Sequence, residues 1–306
     1  MTLRIGYIGL GALGRHLAGS LVKAGFPVTV YDIDKTCADV LGEQGAVCAD
    51  SIAETAATVD TVITCLPSPE AVEAVMTGED GVFAHLAPGG TWVEMSTNDA
   101  HEIQRLAALG AERGIETLES PVTGGVHRAA AGMITVLVGG NPEVYEKHKP
   151  AFEVMGGRVF YVGELGKASM IKVITNMLAF IHLVADGEAL MLAKKGGIDL
   201  GLAWQIITAS SGSSFVHETE GQLILNGSYN INFTMDLARK DLHFAHMMGR
   251  EFGVPLDLAS LTEQTFVRGR TTYGGGAQST MIVKLLEDAC GTDLRAPGFP
   301  DELEPE

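Results

Sequence analysis

Basic residues are scarce in this chain. Against 38 Asp and Glu stand only 21 Lys and Arg, leaving a net charge of −17. Nucleic-acid binding needs a basic surface to neutralise phosphates, so the balance argues against such a partner. Cysteine is scarce as well: Cys37, Cys48, Cys65 and Cys290, none in CxxC spacing. That pattern offers neither a zinc site nor a disulfide framework, and it fits a reducing, cytoplasmic compartment. No long apolar run is uninterrupted. The stretch from Met170 to Leu192 holds Lys172, Asn176, His182, Asp186 and Glu188, which a membrane span rarely tolerates, and it reads as a long buried helix. Met1 leads almost directly into an apolar strand-like run, without the basic segment and secretory core of a signal peptide. No membrane partner is expected.

The 306 residues are 46% hydrophobic and 19% charged, a globular composition with room for about two domains. Short apolar runs alternate with helical stretches in the first half: Leu3 to Ile8, Val28 to Tyr31, Thr61 to Leu66, Thr91 to Met95, Ile115 to Leu118, Ile134 to Val138 and Val159 to Val162. The intervening helices include Ala12 to Lys23 and Ala100 to Arg113. This alternation predicts a mostly parallel, doubly wound sheet covered on both faces. After Gly163 only helices are expected: Lys167 to Lys195, Leu200 to Ala209, Met235 to Phe252, Leu256 to Arg268 and Gln278 to Ala289. The predicted domains are residues 1–164, α/β, and residues 165–306, all-α, joined by a long interdomain helix. The acidic, proline-bearing tail 291–306 is expected to be loosely ordered.

Gly9-Leu10-Gly11-Ala12-Leu13-Gly14 is a GxGxxG placed between the first strand and the first helix. In that setting Gly9 permits a tight turn, Gly11 lets backbone approach a pyrophosphate, and Gly14 permits close helix–strand packing. The helix N-terminus supplies N–H groups and a positive dipole end. Asp32 closes the second strand, where a carboxylate accepts from ribose hydroxyls and repels a 2′-phosphate. The N-terminal domain is therefore read as Rossmann-like, with NAD preferred over NADP.

Four further segments follow in order: Ser120-Pro121-Val122-Thr123-Gly124-Gly125; Gly163-Glu164-Leu165-Gly166 leading to Lys172 and Asn176; Phe233; and Lys240-Asp241-Leu242. Together with the glycine loop, this set resembles the β-hydroxyacid dehydrogenase family, which includes 3-hydroxyisobutyrate dehydrogenase and tartronate semialdehyde reductase. The resemblance runs from Arg4 to about Cys290. It implies a Rossmann-like domain, a helical domain, and a small 3-hydroxy acid as substrate. It implies Lys172 as catalytic acid/base and Asn176 as its partner. It puts substrate-carboxylate binding on the loop from Glu119 to Gly125, with Ser120 standing where Ala is usual and Thr123 where Ser is usual. It further implies cofactor contacts at Leu66, Pro67, Thr97, Phe233 and Lys240.

The chemistry follows from the residue types. Lys172 and Asn176, four apart, share a helix face. A lysine in an apolar helix is costly to bury as a cation, and desolvation with Lys240 nearby is expected to lower its pKa. That suits a group that exchanges a proton near neutrality. Thr123 and the N–H groups of Gly124 and Gly125 would hold a carboxylate, and Arg128 could take a second anionic group. His217, His243 and His246 could suggest a metal, but no carboxylate pattern accompanies them, and no metal is expected. The Ser210–Phe215 segment is either a loop facing the substrate cleft or a turn between helices. Two other readings compete. An imine reductase of the same fold would usually replace the lysine with Asp or Tyr, and a non-catalytic binding member of the family would tend to lose the lysine and carry basic segments. The long apolar helix from Lys167 is expected to pack beyond its own domain, making a homodimer or homotetramer.

Overall fold

The computed structural model describes residues 3–304. The strands are β1 (Ile5–Ile8), β2 (Val28–Tyr31), β3 (Val47–Cys48), β4 (Thr61–Thr64), β5 (Thr91–Glu94), β6 (Glu116–Glu119), β7 (Val122–Thr123), β8 (Ile134–Gly140) and β9 (Gly156–Gly163). The helices of the same region are α1 (Gly14–Lys23), α2 (Lys35–Gly42), α3 (Ile52–Ala57), α4 (Pro69–Thr77), α5 (Val82–His85), α6 (Ala100–Ala111), α7 (Gly125–Ala130) and α8 (Pro142–Met155). The long α9 (Lys167–Lys195) follows, then α10 (Leu200–Thr208), α11 (Phe215–Asn226), α12 (Met235–Phe252), α13 (Asp257–Tyr273), a short 3₁₀ turn and α14 (Lys284–Cys290). The chain divides into two compact units, one ending at Lys172 and one running from Val173 to Glu304. The division falls inside α9.

In the first unit the sheet order is β3-β2-β1-β4-β5-β6-β8-β7, with β9 added beside β8. The strands from β3 to β6 are parallel, whereas β8 runs antiparallel to β6 and β7. Because side chains alternate across a strand, neighbouring residues enter different cores. Ile5, Tyr7, Ile63 and Val93 join one apolar cluster, with Leu17 and Phe152 from helices. Ile8, Val62 and Trp92 join the other, with Val72 and Ile103. That is why β1, β4 and β5 are buried at every residue, Thr61, Thr64, Thr91 and Glu94 included, rather than at alternate ones.

The second unit is helical around Phe180, Leu183, Met235, Phe266 and Leu294. Three expectations need correction here. The helix α11 has no counterpart among the elements expected from the sequence; Gly221 lies inside it, packed closely enough that a Cβ would lie 3.2 Å from Asp186 and 3.4 Å from the Trp204 ring. The helix α9 is not buried all round: Ile174, Leu178 and Leu192 are exposed. The segment after Gly291 is packed rather than loose. Leu294 is fully buried, Arg295 pairs with Glu287 at 2.8 Å, and Phe299 meets Trp204 edge-on. The last two residues of the predicted tail lie outside the described residues.

Candidate active site

The glycine loop occupies the switch from β1 to α1. Gly9 has φ +96°, and a Cβ on it would strike the Cys65 carbonyl oxygen at 2.3 Å. A Cβ on Gly14 would sit 2.0 Å from the Gly9 carbonyl oxygen, so the loop closes only with glycine at both positions. Nothing lies within 4 Å of the Cβ position of Gly11, which leaves the open approach that a pyrophosphate needs. No side chain caps α1, unlike α2, α3, α4, α6 and α8, whose first turns are capped by Asp34, Ser51, Ser68, Asp99 and Asn141. The first turn of α1 is thus left for an external anion. Asp32 accepts the Leu10 N–H at 2.6 Å and the Asp34 N–H at 2.9 Å, so it braces the loop from the end of β2. These features fit a nicotinamide dinucleotide.

Beside the loop, the ends of β4 and β5 are tied by a buried acid that sequence reasoning did not single out. Glu94, 1% exposed, accepts from the Thr64 hydroxyl and from the Ser96 N–H at 2.7 Å. The Ser96 hydroxyl in turn accepts the Leu66 N–H at 2.8 Å, and Trp92 Nε1 donates to the Thr64 hydroxyl at 2.8 Å. Leu66 and Ser96 are therefore held by a hydrogen-bonded frame, with Pro67 and Thr97 next to them in the chain.

The carboxylate loop follows β6. Gly124 and Gly125 have φ +126° and +88°, and the arm of Arg128 folds back so that its Cδ would lie 3.2 Å from a Cβ on Gly124. Thr123 is partly exposed on the short β7. Ser120 is fully buried, with its N–H donating to the Glu94 carbonyl at 2.6 Å.

Glu119, the residue before Ser120, closes β6. Its buried carboxylate accepts from the N–H groups of Gly166 (2.6 Å), Ala168 (2.8 Å) and Ser169 (3.1 Å), and from the Ser169 hydroxyl (2.5 Å). It thereby caps the first turn of α9. Burial pushes its pKa up, opposed by hydrogen bonds from the Ser169 side chain and from the backbone of Ala168, Ser169 and Gly166. Further along the same helix comes Lys172, also buried.

In the second unit, Asn176 donates through Nδ2 to Asp241 at 2.6 Å. Asp241, fully buried, also faces Lys240 Nζ at 3.1 Å, a charge contact rather than an aligned hydrogen bond. Lys240 is thus a balanced cation, also lying 5.2 Å from the Phe244 ring centre. Phe233 stacks on Phe180 at 6.0 Å. The histidines are occupied by protein groups: His217 binds Asp186 at 2.5 Å, and His246 binds the Ser260 hydroxyl at 3.0 Å. Ser210–Phe215 connects α10 to α11, and Ser214 caps α11 through the His217 N–H.

The doubly wound sheet, the glycine loop and the strand-end Asp32 together define a nicotinamide-dinucleotide-binding oxidoreductase. Residues 4–163 match the family described as the NAD binding domain of 6-phosphogluconate dehydrogenase. Residues 166–286 match that described as NAD-binding of NADP-dependent 3-hydroxyisobutyrate dehydrogenase. The chain belongs to the 3-hydroxyisobutyrate dehydrogenase family of NAD(P)-dependent 3-hydroxy acid dehydrogenases. It is 33% identical to 2-(hydroxymethyl)glutarate dehydrogenase of Eubacterium barkeri, over 96% of this chain and 98% of that one. It is 34% identical to the NAD-dependent L-serine dehydrogenase of Pseudomonas aeruginosa, over 79% and 84%. Among solved structures, Mycobacterium tuberculosis 3-hydroxyisobutyrate dehydrogenase with L-serine is similar at a TM-score of 0.83 and 27% identity, over 94% and 99%.

Proposed function

We propose that the protein prefers NAD and oxidises the β-hydroxyl of a small 3-hydroxyisobutyrate-like, serine-like or glycerate-like acid, or runs the reverse reaction, with Lys172 as general acid/base. The observation that carries this reading is a buried lysine on α9, one helical turn before an asparagine that is itself held by Asp241. The bound dinucleotide supplies hydride acceptance or donation at its nicotinamide C4. In oxidation, Lys172 takes the hydroxyl proton as the substrate carbon gives up its hydride; in reduction it returns the proton to the carbonyl oxygen. Asn176 orients the substrate oxygen or the lysine. Ser120, Thr123, Gly124 and Gly125 hold the substrate carboxylate, and Arg128 takes any second anionic group. Gly9 to Gly14 receive the pyrophosphate, and Asp32 the ribose hydroxyls. Leu66, Pro67, Thr97, Phe233 and Lys240 line the cofactor. The buried Lys172 favours alcohol over imine chemistry.

The test is a panel of 3-hydroxy acids and cyclic imines assayed with NAD and NADP. Wild type is expected to reduce NAD with at least one hydroxy acid, and Lys172→Ala to lose nearly all turnover while still binding NAD. A Lys172→Ala enzyme with normal turnover rejects the assignment. The exposed Ile174, Leu178 and Leu192 favour a homodimer or homotetramer built on α9, which light scattering of the purified protein resolves.

A further inference from the structure

We propose that Glu119 is a positioning residue that sets the reach of Lys172 by clamping the first turn of α9 to the strand that feeds the substrate loop. This rests on the assignment of Lys172 above. The geometry is one-sided. Three backbone N–H groups and one hydroxyl, all between Gly166 and Ser169, converge on a single carboxylate from the end of β6. Most other helices in the chain are capped by a residue of their own entry turn, such as Ser68 for α4 or Asp99 for α6. The cap of α9 comes instead from 47 to 50 residues away.

The surroundings are shaped for it. Gly166 has φ +99°, which aims its N–H at the carboxylate. Gly139 on β8, paired with Glu119, leaves the carboxylate its space, since a Cβ there would lie 2.5 Å from Oε1. Ser120, next in the chain, begins the loop that holds the substrate carboxylate. One side chain thus fixes the helix bearing the proton-transfer group against the loop bearing the substrate. Lys172 lies three residues beyond Ser169, less than one turn away, so a rotation or slide of the first turn moves its backbone almost one for one. A misplacement of about 1 Å at a reacting group costs about 10²-fold in rate.

The experiment compares Glu119→Gln, Glu119→Asp, Ser169→Ala and Lys172→Ala by kcat, substrate KM and NAD affinity. Glutamine keeps the size but presents an amide N–H to donors that need an acceptor. It is expected to lower kcat by about 10- to 100-fold with NAD affinity unchanged within about twofold. Aspartate keeps the charge but is shorter, and should recover part of kcat. Ser169→Ala removes one of the four donors and should lower kcat several-fold; it decides the matter if the Glu119 variants do not fold. Unchanged kcat in Glu119→Gln, or in Ser169→Ala where Glu119→Gln does not fold, overturns the proposal. So does a loss of kcat matched by a loss of NAD affinity. If Lys172→Ala retains turnover, the catalytic assignment itself fails, whatever the Glu119 variants do.

Discussion

Replacing Asp32 by alanine separates two duties of one carboxylate. The first is visible: a short charge-assisted bond to the Leu10 N–H, with the second oxygen on the Asp34 N–H. A hydrogen bond to an ionised acceptor contributes about 1.5–3 kcal/mol, and about 1–2 kcal/mol is reasonable where water still reaches the group. The second, under the proposed function, is binding the ribose hydroxyls, taken as worth a similar amount. Loss of the ribose contact and of part of the loop bracing should weaken NAD by about 1.5–3 kcal/mol, or about 10- to 100-fold in Kd. NADP should weaken less, because a carboxylate no longer repels its 2′-phosphate, so the preference moves toward NADP. Asp32→Asn keeps an acceptor for Leu10 and should recover most of the thermal stability but not the NAD affinity. Calorimetric titration of both cofactors at fixed salt, together with thermal melts, reads all of this. Wild-type NAD affinity in Asp32→Ala, or an unmoved ratio of NAD to NADP affinity, refutes the reasoning.

Two further predictions concern the helical unit. Glu220, partly enclosed on α11, has its pKa pushed up to about 8, first by burial and then by the charge of Asp186. The pKa of His217 is also raised: burial, the largest single cause, works against this, but the hydrogen bonds to Asp186 and the Trp204 backbone and the charges of Asp186 and Glu218 together outweigh it. A folded-state pKa above the unfolded one gives stability that is present at low pH and lost as pH rises through the folded value. Glu220→Gln should therefore be more stable than wild type at pH 9, by about 2 kcal/mol after allowing for solvent access, and about the same at pH 5, as read by thermal melts at the two pH values. Equal differences at both pH values reject the assignment. Arg295→Ala removes the cation paired with the buried Glu287 carboxylate, leaving it only the Tyr229 hydroxyl and the Leu294 N–H, and should cost about 2–4 kcal/mol, lowering Tm by about 5–10 °C. An unchanged Tm would show that the tail is not seated in solution.

Much of the α/β unit was legible because its signals are local. The turn at Gly9 to Gly14 and the run Thr61 to Leu66 carry their own strand and loop chemistry, and Lys167 to Lys195 and Met235 to Phe252 were bounded as found. Glu94 was not legible as part of a site, and Glu119 and Asp241 entered only as members of motifs, without their partners. An isolated acid in a sequence reads as surface, and its value here lies in partners 65 residues away, as for Asn176 and Asp241, or 47 to 50 away, as for Glu119. The available signal was an acid at the end of an apolar strand, where a buried charge demands partners. Helix α11 went unread; its Gly221 packs against Trp204 and Asp186, neighbours that local sequence does not reveal. The tail was misjudged from composition, since prolines and acids masked the apolar Leu294 and Phe299.

That tail has a bearing on synthesis. Chains emerge from the ribosome N-terminus first, and domains tend to fold in that order. The first unit can complete its sheet while later helices are still being made. The helical unit cannot, because Leu294 fills its core and Arg295 reaches the Tyr229 hydroxyl at 2.8 Å and Glu287 at 2.8 Å, all from its last dozen described residues. Its final closure therefore waits until Leu294 and Arg295 have left the ribosome, and a nascent protein stalled short of Leu294 would hold a formed cofactor domain and an unsealed helical one.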